Sequence, residues 1–309
     1  MKKLLLVVSV MTALSSCQSD ESPAGNDDVA MNAIEFSLPQ GLVRSFGDNS
    51  ETVWVWAGES SADDFIKAWK LTPDGSEGLT GTPRYYWLAS VEALKFRALH
   101  GNFADDEITA GTTSWDGLSL THTVEQDQTT DAAIQKSELL YACKDDATNG
   151  VDVDLQFKHL MTKITVVIDC ANSSGLEKLT EATIVIPGVK TTATFSSATS
   201  KATANDGTTK DIKIAAIESA LTESSTFECS AVIPEQTVAS GSELLKLTLA
   251  NGQEIKYKKA NNDTFLAGNE YKITLTVNAA AATLSVSGFE VVDGNTRETT
   301  DWNYRVPIN

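Results

Sequence analysis

Residues 153–169 read VDLQFKHLMTKITVVID. Two extended segments flank His159-Leu160-Met161, one over 151–158 and one over 163–168. Val, Ile, Thr and Phe dominate them, the residue types that suit a pleated, half-buried surface. The polar loop KDDATNG, residues 144–150, precedes the pair. A strand that closes one sandwich and a strand that opens the next thus run almost head to tail. The boundary between two domains falls near 159–162, and so short a connection predicts a semi-rigid line of two units.

Strand follows strand on both sides of this joint. Ile34-Glu35-Phe36-Ser37-Leu38 alternates apolar and polar, the period of a strand with one covered face. Val53-Trp54-Val55-Trp56 carries large residues on both faces and predicts a strand covered on both sides. Further strands are expected at 67–71, 84–88, 93–99 and 138–142. The second half adds 182–187, 191–195, 211–215, 227–233, 244–249, 254–258, 270–277 and 283–291. Gly, Asn, Asp and Ser punctuate the gaps. Asn251-Gly252, between two of these strands, marks a hairpin turn because the pair tolerates positive φ. Short helices are expected at 61–68 and 214–222. Many short strands with regular turns predict an all-β fold of antiparallel sandwiches.

The chain has 309 residues, enough for two domains of ordinary size. Its net charge of −18 argues against nucleic acid and against an anionic membrane face as partners. Beyond the amino end, no stretch of 18 apolar residues suggests a membrane span. The amino end reads as a secretory leader over 1–16: Lys2 and Lys3, then an apolar core from Leu4 to Leu14. It closes as Leu14-Ser15-Ser16-Cys17, which resembles the lipobox of bacterial lipoproteins. That resemblance implies a diacylated Cys17, with small residues before it to admit the peptidase; several acyl chains hold a membrane far better than one. The acidic run Ser19-Asp20-Glu21-Ser22 resembles a surface-export tag. Residues 18–31 read as a flexible tether. With Cys17 lipidated, Cys143, Cys170 and Cys229 remain, so at most one disulfide forms; Cys170–Cys229 and three buried thiols both stay open.

The search for chemistry finds little. His100, His122 and His159 stand far apart, with no second His or Cys at metal-ligand spacing. The acidic clusters Asp63-Asp64, Asp105-Asp106-Glu107, Asp145-Asp146 and Asp152/Asp154 lack the pattern of a calcium loop and read as solvated loops. No phosphate-binding, dinucleotide-binding or nucleophile-elbow motif occurs. No catalytic residue, metal or cofactor is assigned. Trp54, Trp56, Trp69, Tyr85, Tyr86, Trp87 and Trp115 crowd the first half. They read as core and strand-pair packing before they read as a sugar-stacking platform.

The order of segments carries a resemblance. Behind the lipobox come IEFSL (34–38) and VRS (43–45). Then follow YYWLASVEALKFRALH (85–100), ELLYACKDD (138–146), VDLQFKHLMTKITVVI (153–168), SAVIPEQT (230–237) and TFLAGNEYKITLTV (264–277). This series resembles the fimbrillins, the lipoprotein-derived pilins of Gram-negative anaerobes, in their Mfa-like branch. The resemblance implies two tandem transthyretin-like β-sandwiches, over 45–160 and 161–291, and a structural, adhesive, non-enzymatic role in surface fimbriae. It implies export to the outer membrane as a lipoprotein, then cleavage after an arginine that releases the lipid together with the first strand. Here that arginine is Arg44, before Ser45, in the loop GLVRSFGDNS; Val43-Arg44-Ser45 departs from the Thr-Arg-Ala common in the family. The released piece, 17–44, would carry Ile34, Phe36 and Leu38. The tail 292–309 presents Trp302, Tyr304, Val306 and Ile308 at period two, one face of an extended strand. That tail is the candidate donor strand for the groove a neighbouring subunit opens by cleavage. Partners are then other fimbrial subunits, the outer membrane through lipid, and a host or bacterial surface ligand. The alternative is a permanently lipidated surface protein that binds a glycan or host ligand.

Overall fold

The computed structural model describes residues 31–38, 52–59, 64–74, 78–207 and 209–294. Among them the chain is nearly all β. The first half runs β1 (Phe36–Ser37), β2 (Val53–Gly58), β3 (Ile66–Pro73), β4 (Leu79–Thr80), β5 (Ala93–His100), β6 (Ser119–Thr123), helix α1 (Asp131–Lys136), β7 (Leu140–Thr148), β8 (Val153–Asp154) and β9 (Phe157–His159). The second runs β10 (Thr162–Ile168), β11 (Thr183–Val189), β12 (Thr192–Ser196), β13 (Lys201–Ala204), β14 (Lys210–Ala216), β15 (Phe227–Ile233), β16 (Gln236–Val238), β17 (Glu243–Thr248), β18 (Glu254–Lys258), β19 (Asp263–Phe265), β20 (Asn269–Asn278) and β21 (Thr283–Asp293).

The first half builds an antiparallel sheet of order β4-β3-β2-β5-β7-β9. Its strand β2 shows why both faces of VWVW are apolar. Val53 and Val55 join a core with Phe96, Leu140 and Phe157. Trp56 points the other way, into a second core, and Trp54 packs beside it. The second half builds two main sheets, β15-β10-β20-β21 and β14-β11-β17-β18. Central β10 is buried along nearly its whole length, 162–168, because it is covered on both faces. Ile164, Val166 and Ile168 fill the core, while Lys163 and Thr165 meet a buried polar layer. There Glu270 lies 3.1 Å from Lys163 Nζ and accepts from Thr165 Oγ1 at 2.8 Å. Burial pushes the Lys163 ammonium down from its ordinary pKa, and Glu270 opposes the shift.

Only Leu160 and Met161 separate β9 from β10. The joint is pinned: Leu160 N–H donates to Leu139 O at 2.9 Å, and Met161 O accepts from Gly268 N–H at 2.7 Å. His159 Nδ1 lies 3.1 Å from Glu138 Oε2, both side chains fully buried. One stretch crosses this joint in space. β6 pairs with β12 across the halves, Leu120 against Phe195. Buried Gln128 clamps the edge of β15, giving and taking hydrogen bonds at Val232 of 2.9 and 2.8 Å.

Among the described strands two pairings are parallel, β1 with β8 and β10 with β20; the other strand pairs are antiparallel. The hairpin between β17 and β18 turns at Asn251-Gly252, with Gly252 at φ 81°. Gly268 takes φ 79°, which lets the chain turn out of the joint into the long β20. Tyr271 then ties that corner, its hydroxyl accepting from Leu266 N–H at 2.8 Å and donating to Thr264 O at 3.2 Å.

Several expectations need correction. Neither expected helix forms among the described residues. The first gives way to β3, whose cross-strand partner is β2. In the second, residues 214–216 close β14, with Ile214 in the core, and pairing with β11 overrides local helix propensity. Residues 84–88 form a single bridge rather than a strand. The helix that does form, α1, is capped by Thr130 Oγ1, which accepts from Ala133 N–H at 3.3 Å. The short strands β4, β6, β13, β16 and β19 lie outside the expected set.

The polar seam between the halves holds a pH-dependent group. His122 is fully buried; its Nδ1 accepts from Asn102 N–H at 3.0 Å and its Nε2–H donates to Ser137 O at 2.9 Å. Burial lowers its pKa to about 4, with His100 adding to the effect and the Ser137 carbonyl opposing it. The unfolded chain, with an ordinary imidazole near pH 6.5, binds the proton more readily. The stability from a neutral His122 is therefore complete above about pH 6.5 and is lost as pH falls toward about 4. At pH 5 the loss is about 2 kcal/mol. Urea unfolding of the parent and of His122→Gln at pH 7.5 and 5 should show their stability gap shrinking by that amount; a constant gap means that His122 titrates normally in the fold.

Candidate functional site

The first described segment, 31–38, is a plug. Asn32 O accepts from Trp87 N–H at 2.8 Å, and Ile34 N–H donates to Tyr85 O at 3.0 Å. On its other edge Glu35 O accepts from Val153 N–H at 2.8 Å and Ser37 O accepts from Leu155 N–H at 3.2 Å. β1 thus lies parallel to β8, Phe36 beside Val153, with the 84–88 segment on the opposite side. The period-two pattern now has its cause. Ile34, Phe36 and Leu38 are 3, 6 and 4% exposed and enter the first core. The Phe36 ring packs 5.6 Å from Trp69 and 5.7 Å, edge-on, from Phe96. The alternate residue Glu35 faces water and pairs with Arg84. Asn32 Nδ2 donates to Asn149 Oδ1 at 3.0 Å.

Burying three such side chains stabilises the first unit by roughly 1.5–3 kcal/mol each. Without them the core would open along a groove walled by Trp69, Tyr85, Trp87, Phe96, Val153 and Leu155. Backbone groups would be stranded with it, the N–H of Trp87, Val153 and Leu155 and the C=O of Tyr85. Unpaired edges of this kind invite another strand. Trp69 Nε1 and Trp87 Nε1 are already buried with no hydrogen-bond partner among the described residues.

Cys17, Arg44, Ser45, Trp302, Tyr304, Val306 and Ile308 lie outside the described residues. β21 is an edge strand with Phe289 and Val291 about half exposed.

The other sequence candidates take structural places. Trp56, Trp69, Trp87 and Trp115 are at most 4% exposed and are core; Trp54, Tyr85 and Tyr86 are only half-buried. Cys143, Cys170 and Cys229 are free thiols. Burial pushes the Cys229 thiol far above its ordinary pKa, which leaves it unreactive. Asp64 departs from the solvated-loop expectation. It is buried beside Arg97 and accepts from Trp115 N–H at 2.5 Å. Burial raises its pKa, and the Trp115 N–H and Arg97 oppose the rise. Among the described residues no group of three His, Cys, Asp or Glu could hold a metal ion. None of their helices is long and apolar enough to cross a membrane.

Sequence reasoning placed the three plug side chains but not their receptors. The 84–88 segment showed only as a strand, and the 153–155 edge only as part of a longer one. Nothing local marks either as the partner of a segment more than a hundred positions away, or of one with β2, β3 and β4 in between.

None of the curated proteins matches the chain. Among solved structures, a candidate cell adhesion protein from Bacteroides uniformis is 20% identical, with a TM-score of 0.60 over 84% of this chain and 98% of that one. Another from Bacteroides ovatus is 14% identical, with a TM-score of 0.62 over 84% and 96%. A fimbrial protein from Bacteroides vulgatus is 13% identical, with a TM-score of 0.51 over 84% and 99%. At such identities the likeness is one of fold. The sequence itself matches the Fimbrillin-like family model over residues 45–294. That match takes in the first sheet, the joint at Leu160-Met161 and both main sheets of the second half, and the chain belongs to the fimbrillin-like family.

Proposed function

We propose that this chain is a pilin, exported as a lipoprotein through Cys17, cleaved between Arg44 and Ser45, and joined to its neighbours by strand exchange. Membership of the fimbrillin-like family supports a structural subunit of a cell-surface fimbria rather than an enzyme. The observation that carries the finer reading is the plug. Ile34, Phe36 and Leu38 fill a core through a short segment bonded on both edges, and the chain runs on from Leu38 through Arg44 to β2. A cut after Arg44 leaves the plug held to the rest of the subunit by non-covalent contacts alone. The family match begins at Ser45, the residue after the proposed cut, which is consistent with a mature chain that lacks the plug. Two tandem transthyretin-like sandwiches, divided near 160, are the domain plan of this reading, with 119–139 docked on the second unit.

The incoming strand is the tail of another subunit. Trp302, Tyr304, Val306 and Ile308 share one face of an extended segment and would replace the three plug side chains by strand addition. Pro307, near the end, costs one N–H where it matters least. Deleting 300–309 should leave a folded monomer that accepts a tail but donates none. Mixed with intact processed subunits, it should cap chains and shorten them, as read by electron microscopy and size exclusion. Polymer of normal length from the truncated chain alone would refute the donor assignment.

A further inference from the structure

A cleft of about 480 Å3 opens on the face of the first sheet opposite the plug. Its walls include Trp54, Lys70, Asn102, Phe103, Asp105 and Lys136. Trp54 and Lys70 are cross-strand partners on β2 and β3. Asn102, Phe103 and Asp105 come from the loop after β5, and Lys136 ends α1. We propose that this cleft binds a neutral hexopyranose unit of a surface glycan, the Trp54 indole taking the apolar face of the sugar.

Three observations carry this. The first is the aromatic pair. Every other tryptophan among the described residues is at most 4% exposed, but Trp54 and Phe103 are half-buried and border open space. A pyranose has a face of C–H groups that an aromatic ring covers well, with hydroxyls around its rim.

The second is the polar set. Lys70 Nζ lies 5.9 Å from the Trp54 ring centroid. Lys136 is bonded to Glu125 at 2.6 Å. Glu125, just outside the wall, thus offsets Lys136, which leaves Lys70 and Asp105 as one charge of each sign and no surplus with which to select an anion. Ammonium groups donate to hydroxyl oxygens and carboxylates accept hydroxyl protons, a mixture that suits a polyol better than a phosphate or a peptide terminus.

The third is pre-organisation. Asn102 is held at three points: its N–H donates to buried His122 at 3.0 Å, its Nδ2 donates to Thr123 O at 2.8 Å, and its C=O accepts from Thr123 N–H at 3.2 Å. The Glu107 carboxylate accepts from Thr121 N–H at 3.0 Å and anchors the far side of the same loop. A wall fixed in this way loses little freedom when a ligand arrives. The volume falls within the usual range for small-ligand sites, about 300–1,000 Å3.

The inference stands apart from strand exchange, since the cleft lies on the other face of the sheet and needs neither cleavage nor a second subunit. The test is an array of neutral and sialylated oligosaccharides probed with the purified full-length chain, followed by calorimetric titration of the best ligand. A neutral glycan should bind saturably. Trp54→Ala should weaken it at least tenfold, and Lys70→Met and Asp105→Asn, both at exposed side chains, severalfold each with unchanged thermal midpoints. If Trp54→Ala fails to fold, those two variants decide the matter. Binding to no glycan, binding to sialylated glycans alone, or affinity indifferent to Lys70 and Asp105 would overturn the proposal.

Discussion

Arg44→Ala chains should keep residues 17–44, stay in the membrane fraction and form no polymer. The reasoning runs from the plug. While the first segment is in place, the backbone edges at Tyr85, Trp87, Val153 and Leu155 are occupied and Phe36 fills the space between Trp69 and Phe96. An incoming tail must then displace a strand tethered to its own subunit. Tethering gives that strand an effective concentration in the millimolar range or above, which a free competitor cannot match. Cleavage removes the tether, and once the freed segment leaves it is diluted away with the lipid. A metabolic label with a fatty-acid analogue reads both steps at once. The Arg44→Ala chain should retain the label, the processed parent should lose it, and Cys17→Ala should never acquire it. Normal polymer from Arg44→Ala would show that plug removal is not the trigger. A label that survives Cys17→Ala would end the lipoprotein reading.

The second large effect is conditional. Phe36→Ala should destabilise the unprocessed chain by about 3–5 kcal/mol, the usual cost of removing a buried aromatic ring and leaving its cavity. The edge-on pair with Phe96 and the contact with Trp69 put the value toward the upper end. Urea unfolding of the Arg44→Ala background, where the plug cannot leave, isolates this loss. In polymer assembled from cleaved Phe36→Ala chains the loss should vanish, because Phe36 is no longer present. Heat dissociation of the two polymers should then coincide. A polymer weakened as much as the monomer would mean that the first segment stays in the assembled fibre, and the strand-exchange reading would fail even though the plug is part of the core.

Much of the fold was legible in the order of residues. Period two at 34–38 marked Ile34, Phe36 and Leu38 as one covered face, and they are buried. The doubly apolar Val53–Trp56 marked a strand covered on both sides, and its two faces enter two cores. Asn251-Gly252 marked a turn that needs positive φ, and Gly252 has it. Local chemistry suffices for such features, because a side chain's alternation and a backbone's φ are settled by near neighbours and by water. What covers a face is not a local quantity. Residues 214–222 carry helix-forming residues, yet Ile214, Ala215 and Ala216 are drawn into β14, which pairs with β11. The parallel pairing of β10 with β20, more than a hundred residues apart, has no sequence signal, nor has the choice of β8 and the 84–88 segment as the plug's two edges. The same holds for β6, which leaves its own half to pair with β12. Only long-range packing sets Trp54 apart from the other tryptophans and assembles Lys70, Asn102 and Lys136 around it. Each of those side chains is unremarkable in sequence, and the cleft exists because β2, β3, the loop after β5 and the end of α1 close on one another.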